Sequence, residues 1–198
     1  MVEISAAMVK ELRERSGVGI MDCKEALKEC NGDMEKASDY LRKKGLATAQ
    51  KRAGRVASDG TIQSYIHMGG KIGVLVEVNC ETDFVAKTDG FQEFVKNIAM
   101  HIAAASPLGV VPEDITPEMI DREKEIYKAQ ALEMGKPENM LDKIIEGKMS
   151  KFYKENCLMD QPYVRDTSKT ITDILNEMIG KTGEKITINR FARFQIGR

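Results

Sequence analysis

The chain has 198 residues, of which 42% are hydrophobic and 31% charged, proportions typical of a soluble globular protein with one or two domains. Its 30 Lys and Arg residues nearly balance 31 Asp and Glu residues, which argues against a protein that coats nucleic acid. No secretory signal is recognisable, and no stretch reaches the ~20 apolar residues that a membrane span needs. We therefore expect a cytoplasmic protein without direct nucleic-acid or membrane partners, unless an organelle presequence has been removed.

The cysteines do not indicate a metal site. None of Cys23, Cys30, Cys80 and Cys157 forms a CxxC pair, and the chain has only 2 histidines to help them. A structural zinc site needs tighter clusters of such ligands. We expect reduced, mostly buried thiols, and neither a metal nor a cofactor.

Residues 1–57 are predicted to form a three-helix domain that ends in a basic linker. Ser5 is placed to cap the first helix, and Asp33 the third. Between them, Gly32 suits the left-handed position at the end of the second helix. The third helix is predicted to end at Gly45, because glycine commonly follows a helix C-terminus.

A basic stretch, Leu41–Val56, contains six Lys and Arg residues and no acid. The favoured interpretation is a solvated, Ala-rich helical linker. A contact with an acidic partner or an RNA surface is the alternative. No aromatic residue is available there to stack on bases, which weakens the RNA alternative.

Residues 58–198 are predicted to form a small antiparallel sheet with packed helices, which makes the fold class α+β. Gly69-Gly70 supplies a hairpin turn between two strands with alternating apolar residues. A third strand near the C-terminus is predicted to place four apolar side chains on one face: Ile186, Ile188, Phe194 and Ile196. So small a sheet leaves an open edge that suits pairing with another copy.

Several helices are predicted between these strands. Asp89 and Gln92 resemble a capping box for a helix that extends to Ala105. An antiparallel, coiled-coil-like helical hairpin is expected at about residues 113–160, because "GKP" is a short break between two helical patterns. The stretch "TSKTITDILNEMIGKTG" is predicted to be one more capped helix before the last strand.

No catalytic constellation emerges from the sequence. It contains neither GxxxxGK[ST] nor GxSxG nor HExxH. His101 lies in an apolar helical pattern, where a histidine is more often a packed or interface residue than a base. We expect a protein that is not an enzyme; the rival hypothesis is an enzyme that uses His101 and a nearby carboxylate.

The stretch "NCETDFVAKTDGF", residues 79–91, places an acid beside a large apolar ring between a strand and a helix. Asp83 is either a helix cap or a contact residue. Phe84 is either a buried anchor or a wedge for a partner's pocket. The pattern alone leaves both alternatives open.

This stretch resembles the signature of the elongation factor Ts family. The segments "MVKELRERSGVGIMDCKEAL", "KIGVLVEVN", "IAMHIAAASP", "GKPENMLDKIIEGKM" and "QPYV" also occur in the family's order, so the resemblance covers essentially the whole chain. It implies a ubiquitin-associated-like three-helix domain and a core domain with an inserted coiled-coil hairpin. It also implies a guanine-nucleotide exchange factor that binds the GDP form of elongation factor Tu and disturbs its magnesium and phosphate site.

The resemblance assigns contact residues to three groups. The first, which disturbs the magnesium site of Tu, comprises Thr82, Asp83, Phe84 and Val85. The second, on the N-terminal domain, contacts the nucleotide domain of Tu and comprises Leu12, Ile20, Met21 and Lys24. The third contacts a second part of Tu and comprises Ile72, Gly73 and His101.

The chain carries one copy of the core half that many family members carry twice. It thus resembles the short form, in which two chains pair, and we expect a homodimer through the sheet edge and a two-plus-two complex with Tu. Because Ala192 stands where some short forms have a cysteine, that dimer would be noncovalent. The rival interpretation is a non-catalytic helical scaffold or peptide-binding module on the same fold.

Overall fold

The fold is α+β, as the sequence predicted. The computed structural model describes residues 4–197, and this part contains eight α helices and two small sheets. None of the described helices is both long and apolar enough to cross a membrane.

The helices and strands follow one another from an all-helical N-terminal part to a C-terminal strand. The helices are α1 (Ala6–Ser16), α2 (Ile20–Glu29), α3 (Met34–Arg52), α4 (Asp83–Ala86), α5 (Asp89–Ala105), α6 (Pro117–Glu133), α7 (Leu141–Asn156) and α8 (Ile171–Thr182). The strands are β1 (Asp59–Ile66), β2 (Ile72–Cys80), β3 (Pro162–Tyr163), β4 (Asp166–Thr170) and β5 (Thr187–Gln195). One sheet has the order β1-β2-β5, and the other pairs β3 with β4.

The chain divides into two compact units that cut across several of these elements. The first comprises the residues up to Ile62 together with Glu77–Val95 and Asp173–Ile188. The second comprises Gln63–Val76, Lys96–Thr172 and the residues from Asn189 onward. The domain boundary expected between residues 57 and 58 stays a prediction.

In the first unit, α1, α2 and α3 form the expected three-helix bundle. The Ser5 hydroxyl accepts from Met8 N (3.3 Å), and the Asp33 carboxylate accepts from Glu35 N and Lys36 N (both 3.1 Å), so both predicted caps are confirmed. Gly32 has the left-handed φ of 81° that the sequence predicted. The core of the bundle consists of Val9, Leu12, Cys23, Ala26, Leu27, Ala37 and Leu41.

The prediction that the third helix ends at Gly45 is wrong. Helix α3 continues to Arg52, and Gly45 is buried within it. A Cβ on Gly45 would lie 3.3 Å from the Asn176 carbonyl oxygen of α8, a closer contact than side chains normally make. Glycine is therefore present for close helix packing and not for a left-handed C-cap.

The basic stretch is helical as far as Arg52, but its charges are not simply solvated. Arg42 pairs with Asp173 of α8 at 2.9 Å. Lys44 pairs with Asp22 at 2.9 Å and with Glu25 at 2.6 Å. Much of the basic stretch therefore has its acidic partners within the chain, and its charge is partly satisfied without RNA or an acidic protein.

The hairpin of β1 and β2 turns at Gly69 and Gly70, whose φ angles are 86° and 67°. This confirms the turn that the sequence predicted. Along β5, however, the alternation of burial shifts by one residue at Asn189 and Arg190, as a β-bulge would cause.

One prediction about β5 is wrong as a result. Ile186 and Ile188 are buried, but Phe194 and Ile196 are 70% and 73% exposed. The four side chains therefore do not share one buried face, because side chains alternate across a strand and a one-residue shift reverses their direction.

The start of α5 also differs from the prediction. The cap is Thr88, whose hydroxyl accepts from Phe91 N at 3.3 Å. Asp89 lies in the first helical turn, where its charge suits the helix dipole. Gln92 donates instead to the Ala86 carbonyl at 2.7 Å, so Asp89 and Gln92 form no capping box.

Helices α6 and α7 form the expected helical hairpin in the second unit. Lys148 of α7 donates to Gln130 of α6 at 2.6 Å and lies 5.1 Å above the Tyr127 ring. Gly135 ends the first helix with a φ of 69°, as the "GKP" break predicted. A small apolar cluster at the base consists of Ile115, Met149, Phe152 and Cys157.

The sequence did not predict the ribbon of β3 and β4. Residues 167–170, "TSKT", were expected to begin a helix, but they belong to β4, and α8 begins at Ile171. Strands as short as β3 leave no periodic pattern, because alternation needs at least four residues to be visible.

Candidate functional site

The tip segment, Thr82–Val85, projects from the turn that follows β2. The Thr82 hydroxyl caps the single-turn helix α4 by accepting from Val85 N at 3.4 Å. Asp83 therefore lies in the first turn and is not the cap. Phe84 is 80% exposed, so it is not a buried anchor either. Both supporting roles that the sequence left open for this pair are wrong.

The backbone under the tip segment is well anchored on its C-terminal side. The Thr88 hydroxyl donates to the Val85 carbonyl at 2.8 Å. With the Gln92 bond described above, two carbonyls of this short helix are therefore satisfied. Phe91 is fully buried one helical turn further on and fixes the start of α5.

On its N-terminal side the tip segment is held by an acidic side chain from the turn before β5. Glu184 accepts hydrogen bonds from Glu81 N and Thr82 N, both at 3.1 Å, and from the Thr82 hydroxyl at 2.6 Å. Glu81 reciprocates, because its carboxylate accepts from Lys185 N at 2.6 Å. We call these four hydrogen bonds between residues 81–82 and 184–185 the carboxylate clasp.

The clasp is also connected to the end of α3. Arg52 and Arg55 donate to the Glu81 carboxylate at 3.2 and 3.0 Å. The Lys185 ammonium donates to the carbonyls of Ala53 and Arg55 at 2.8 and 2.7 Å. The pKa of Glu81 lies below its usual value. The main cause is the hydrogen bond from the Lys185 amide, and the hydrogen bonds from the two guanidinium groups also lower it.

Asp83 has a partner of its own on the surface. Its carboxylate lies 2.5 Å from the ammonium of Lys87, one turn further along the chain. This hydrogen bond lowers the pKa of Asp83 and raises that of Lys87, so both groups stay charged at neutral pH. The tip segment thus presents an anion next to an exposed aromatic ring.

The residues expected on the N-terminal contact surface have different degrees of burial. Ile20 and Met21, at the start of α2, are 52% and 75% exposed, and Lys24 is exposed one turn later. Leu12 is fully buried in the bundle core. The predicted contact by Leu12 stays a prediction, and in this structure its side chain packs inside the bundle core.

The third expected group is also only partly at the surface. Ile72 and Gly73 are half-buried, whereas His101 is fully buried. Val164 N donates to His101 Nδ1 at 3.3 Å, so Nε2 carries the hydrogen that is donated to Gln161 Oε1 at 3.0 Å. Burial lowers the pKa of His101, which makes it a neutral, packed residue without direct access to a partner.

No group of three or more His, Cys, Asp or Glu residues among residues 4–197 is arranged to hold a metal ion. All four cysteines are free, and three of them are buried while Cys30 is half-buried, which confirms the prediction of mostly buried thiols.

Sequence reasoning missed Glu81, Glu184 and Lys185. Glu184 is separated from Thr82 by 102 positions, and acidic residues are frequent throughout the chain. No local pattern indicates the pairing, because both partners lie in turns with no periodicity of their own.

Comparison with known proteins identifies the family. The sequence profile of a family described as Elongation factor TS matches residues 34–198. The chain belongs to the elongation factor Ts family. A protein named Elongation factor Ts from Desulfosudis oleivorans is 62% identical over 194 residues, which cover 98% of both chains. Proteins of the same name from Syntrophobacter fumaroxidans and Geobacter sulfurreducens are 62% identical over 196 residues, 99% of this chain and 98% and 91% of theirs.

As a member of the elongation factor Ts family, the chain has a role in translation elongation. The resemblance that the sequence carried is thereby confirmed at the level of family and fold. The tip segment lies in the matched region, and so do Ile72, Gly73 and His101. The relatives match over almost the whole chain, including the bundle with Ile20 and Met21.

Proposed function

We propose that the chain is a guanine-nucleotide exchange factor that binds the GDP form of elongation factor Tu in the cytoplasm and accelerates GDP release. The observation that carries this proposal is the exposure of Phe84, 80% of whose surface is accessible, on a backbone anchored at both ends. Large aromatic side chains that insert into a partner's pocket are frequent energetic anchors of protein interfaces.

The tip segment has the chemistry to weaken nucleotide binding. A bound Mg²⁺ ion bridges phosphate oxygens and offsets their charge, so displacing its ligands weakens the hold on GDP. In our proposal Phe84 inserts between helices of the nucleotide domain of Tu, with Thr82 and Val85 beside it. Asp83 supplies the negative charge that disturbs the magnesium site. No covalent step is required, so the factor is not an enzyme in the ordinary sense.

Linkage explains how such a factor would be recycled. If the factor lowers the affinity of Tu for nucleotide, nucleotide must lower the affinity of Tu for the factor by the same ratio. Each ~1.4 kcal/mol of this coupling corresponds to about a tenfold change in affinity. Binding of GTP then expels the factor, which becomes available for another Tu molecule.

Two further surfaces are assigned to Tu in this proposal. Ile20, Met21 and Lys24, exposed on α2, would contact the nucleotide domain, with Leu12 supporting them from the bundle core. Ile72 and Gly73 would contact a second part of Tu. His101, which is buried, would act there only by holding the chain around Val164 in place.

We also propose a noncovalent homodimer and a two-plus-two complex. Two hydrogen bonds, from His67 N to Ile72 O and from Ile196 N to Lys71 O, both 2.9 Å, set the register of the three strands. In that register Ile66, Gly73 and Phe194 form one row across the sheet.

This row supports a dimer contact through the sheet face, whereas the sequence suggested the edge. Ile66 and Phe194 are 65% and 70% exposed, and Leu75 and Ile196 add apolar surface beside them. Exposed apolar surface of this kind commonly marks an interface. Gly73 lies in the same row, so in the two-plus-two complex the Tu contact assigned to Gly73 would adjoin the dimer contact.

The exchange activity is tested by stopped-flow release of labelled GDP from Tu. We expect the wild-type chain to accelerate release and Phe84→Ala to lose most of this acceleration. Met134→Ala is the matched control, because Met134 is also largely exposed (68%) but lies in the loop between α6 and α7. A wild-type chain that binds Tu without accelerating release would favour the scaffold alternative and contradict the proposal.

A further inference from the structure

The carboxylate clasp acts on the residue from which the tip segment starts. Three of its four hydrogen bonds run from Glu81 N, Thr82 N and the Thr82 hydroxyl to the single carboxylate of Glu184. Hydrogen bonds to an ionised acceptor are stronger and more directional than those between neutral groups. A side chain far away in the sequence therefore sets the position and direction of the backbone at Thr82.

The tip segment needs such an external constraint. Helix α4 has only four residues, and a single helical turn is not stable by itself because nucleation fixes several dihedral angles for one hydrogen bond. Phe84 contributes almost no packing of its own, since it is exposed. The geometry of the tip therefore depends on its capping and on the groups that bind its ends.

We propose that Glu184 is a positioning residue for nucleotide exchange, which fixes the backbone at Thr82 so that Asp83 and Phe84 project in the direction that the partner requires. This inference rests on the proposed function. Glu184 binds the backbone of Glu81 and Thr82 and the Thr82 hydroxyl, so in this inference it acts through Thr82.

Glu81 makes the reciprocal hydrogen bond of the carboxylate clasp. Its carboxylate holds the Lys185 amide, next to Glu184, and also the guanidinium groups of Arg52 and Arg55. The turn that carries Glu184 is thereby tied to the residue that precedes the tip segment, and both are tied to the end of α3. Each carboxylate therefore accepts hydrogen bonds from backbone N–H groups at or next to the other glutamate.

The experiment compares Glu184→Ala and Glu184→Gln with the wild type in the GDP-release assay, over a range of factor concentrations. Glutamine keeps an oxygen for the two N–H groups and an NH₂ group that can donate to the Thr82 hydroxyl. We expect Glu184→Ala to lower the maximal release rate about tenfold. Glu184→Gln should stay within about twofold of the wild type. The half-saturating concentration should change less than the maximal rate.

A double-mutant cycle separates positioning from general stability. If Glu184 acts through the tip segment, Phe84→Leu should lower the maximal rate of GDP release by less than about twofold when it is introduced into the Glu184→Ala variant. A purely structural effect of Glu184 would leave the two losses additive. Glu133→Ala, an exposed carboxylate at the end of α6, is the control and should match the wild type.

The outcomes distinguish this inference from the proposed function. If the wild type itself fails to accelerate release, the proposed function is wrong, and the inference falls with it. If the wild type is active and Glu184→Ala is equally active, or if the losses are additive, only the inference is overturned. Should circular dichroism show Glu184→Ala to be unfolded, Glu184→Asp replaces it, because its shorter side chain cannot reach all three donors. The same outcomes then apply.

Discussion

Gly45 of α3 and Gly180 of α8 meet so closely that a Cβ built on Gly180 would lie 3.2 Å from the Cα of Gly45. The ion pair between Arg42 and Asp173 lies along the same two helices, at 2.9 Å. The N-terminal bundle, which carries Ile20 and Met21, is thereby packed directly on α8 within the first compact unit. At this point the backbones of the two helices approach each other directly, because neither glycine has a side chain.

The first prediction concerns this glycine contact. Replacing a helical Gly by Ala normally stabilises a helix by about 0.5–1 kcal/mol. We expect Gly45→Ala to destabilise the protein instead, by about 1–3 kcal/mol, because the new methyl group forces α3 and α8 apart. The free energy of unfolding in urea is the measurement.

Gly147 provides the matched control for that prediction. It lies in helix α7, and a Cβ on it would meet nothing within 4 Å. Gly147→Ala should therefore show the ordinary stabilisation. A stabilising Gly45→Ala would mean that the two helices can separate at little cost, in contradiction of our interpretation of the contact.

The second prediction separates the charge of Asp83 from its ion pair with Lys87. Asp83→Ala should slow GDP release, because it removes the anion that disturbs the magnesium site. Lys87→Ala should leave release unchanged or make it faster, since it frees the same anion from its cation. Both variants should keep the wild-type melting temperature, because exposed ion pairs contribute little to stability. An equal loss of rate in the two variants would show that the ion pair, and not the charge, is required.

The third prediction is a pH dependence that comes from Glu81. The hydrogen bonds of Lys185 N, Arg52 and Arg55 hold the folded-state pKa of Glu81 below its usual value of 4.5. A carboxyl group whose pKa is lower in the folded than in the unfolded state stabilises the protein at pH values above its unfolded-state pKa. This stabilisation is lost as the pH falls through the folded-state pKa. We therefore expect part of the stability to disappear below about pH 4.5.

Glu81→Gln tests this pH dependence. The variant should be less stable than the wild type near neutral pH and should lose less stability on acidification, as measured by urea unfolding at several pH values. Glu133→Gln, which changes an exposed carboxylate, should retain the wild-type profile. Parallel profiles for the wild type and Glu81→Gln would rule out a contribution from Glu81.

The fourth prediction concerns the proposed dimer. Phe194→Asp places a charge in the apolar row of the sheet face and should convert the dimer to a monomer in sedimentation analysis at micromolar concentration. Glu133→Ala should remain dimeric. A wild-type chain that sediments only as a monomer would contradict the dimer. A Phe194→Asp variant that stays dimeric would show that the dimer contact does not use this face of the sheet.

The sequence alone predicted the elements whose signals are local. Ser5, Asp33 and Gly32 marked helix ends correctly, because capping depends on residues within one turn of each other. Gly69-Gly70 marked the hairpin, since few other residues accept that turn. The family resemblance was also contained in the sequence, and it singled out the tip segment when the pattern of Asp83 and Phe84 alone left it undecided.

Only the tertiary structure revealed the features that join residues distant in the sequence. Gly45 looked like a helix end, because the sequence does not reveal the helix that packs against it. Phe194 and Ile196 were expected to share one face with Ile186 and Ile188, because a one-residue shift in a strand leaves no trace in composition. The carboxylate clasp joins Glu81 and Glu184 across about half of the chain, and two acids among 31 acquire that role only when folding brings their backbones together. Local chemistry fixes where helices and turns begin, whereas contacts between distant residues depend on the three-dimensional arrangement of the whole chain.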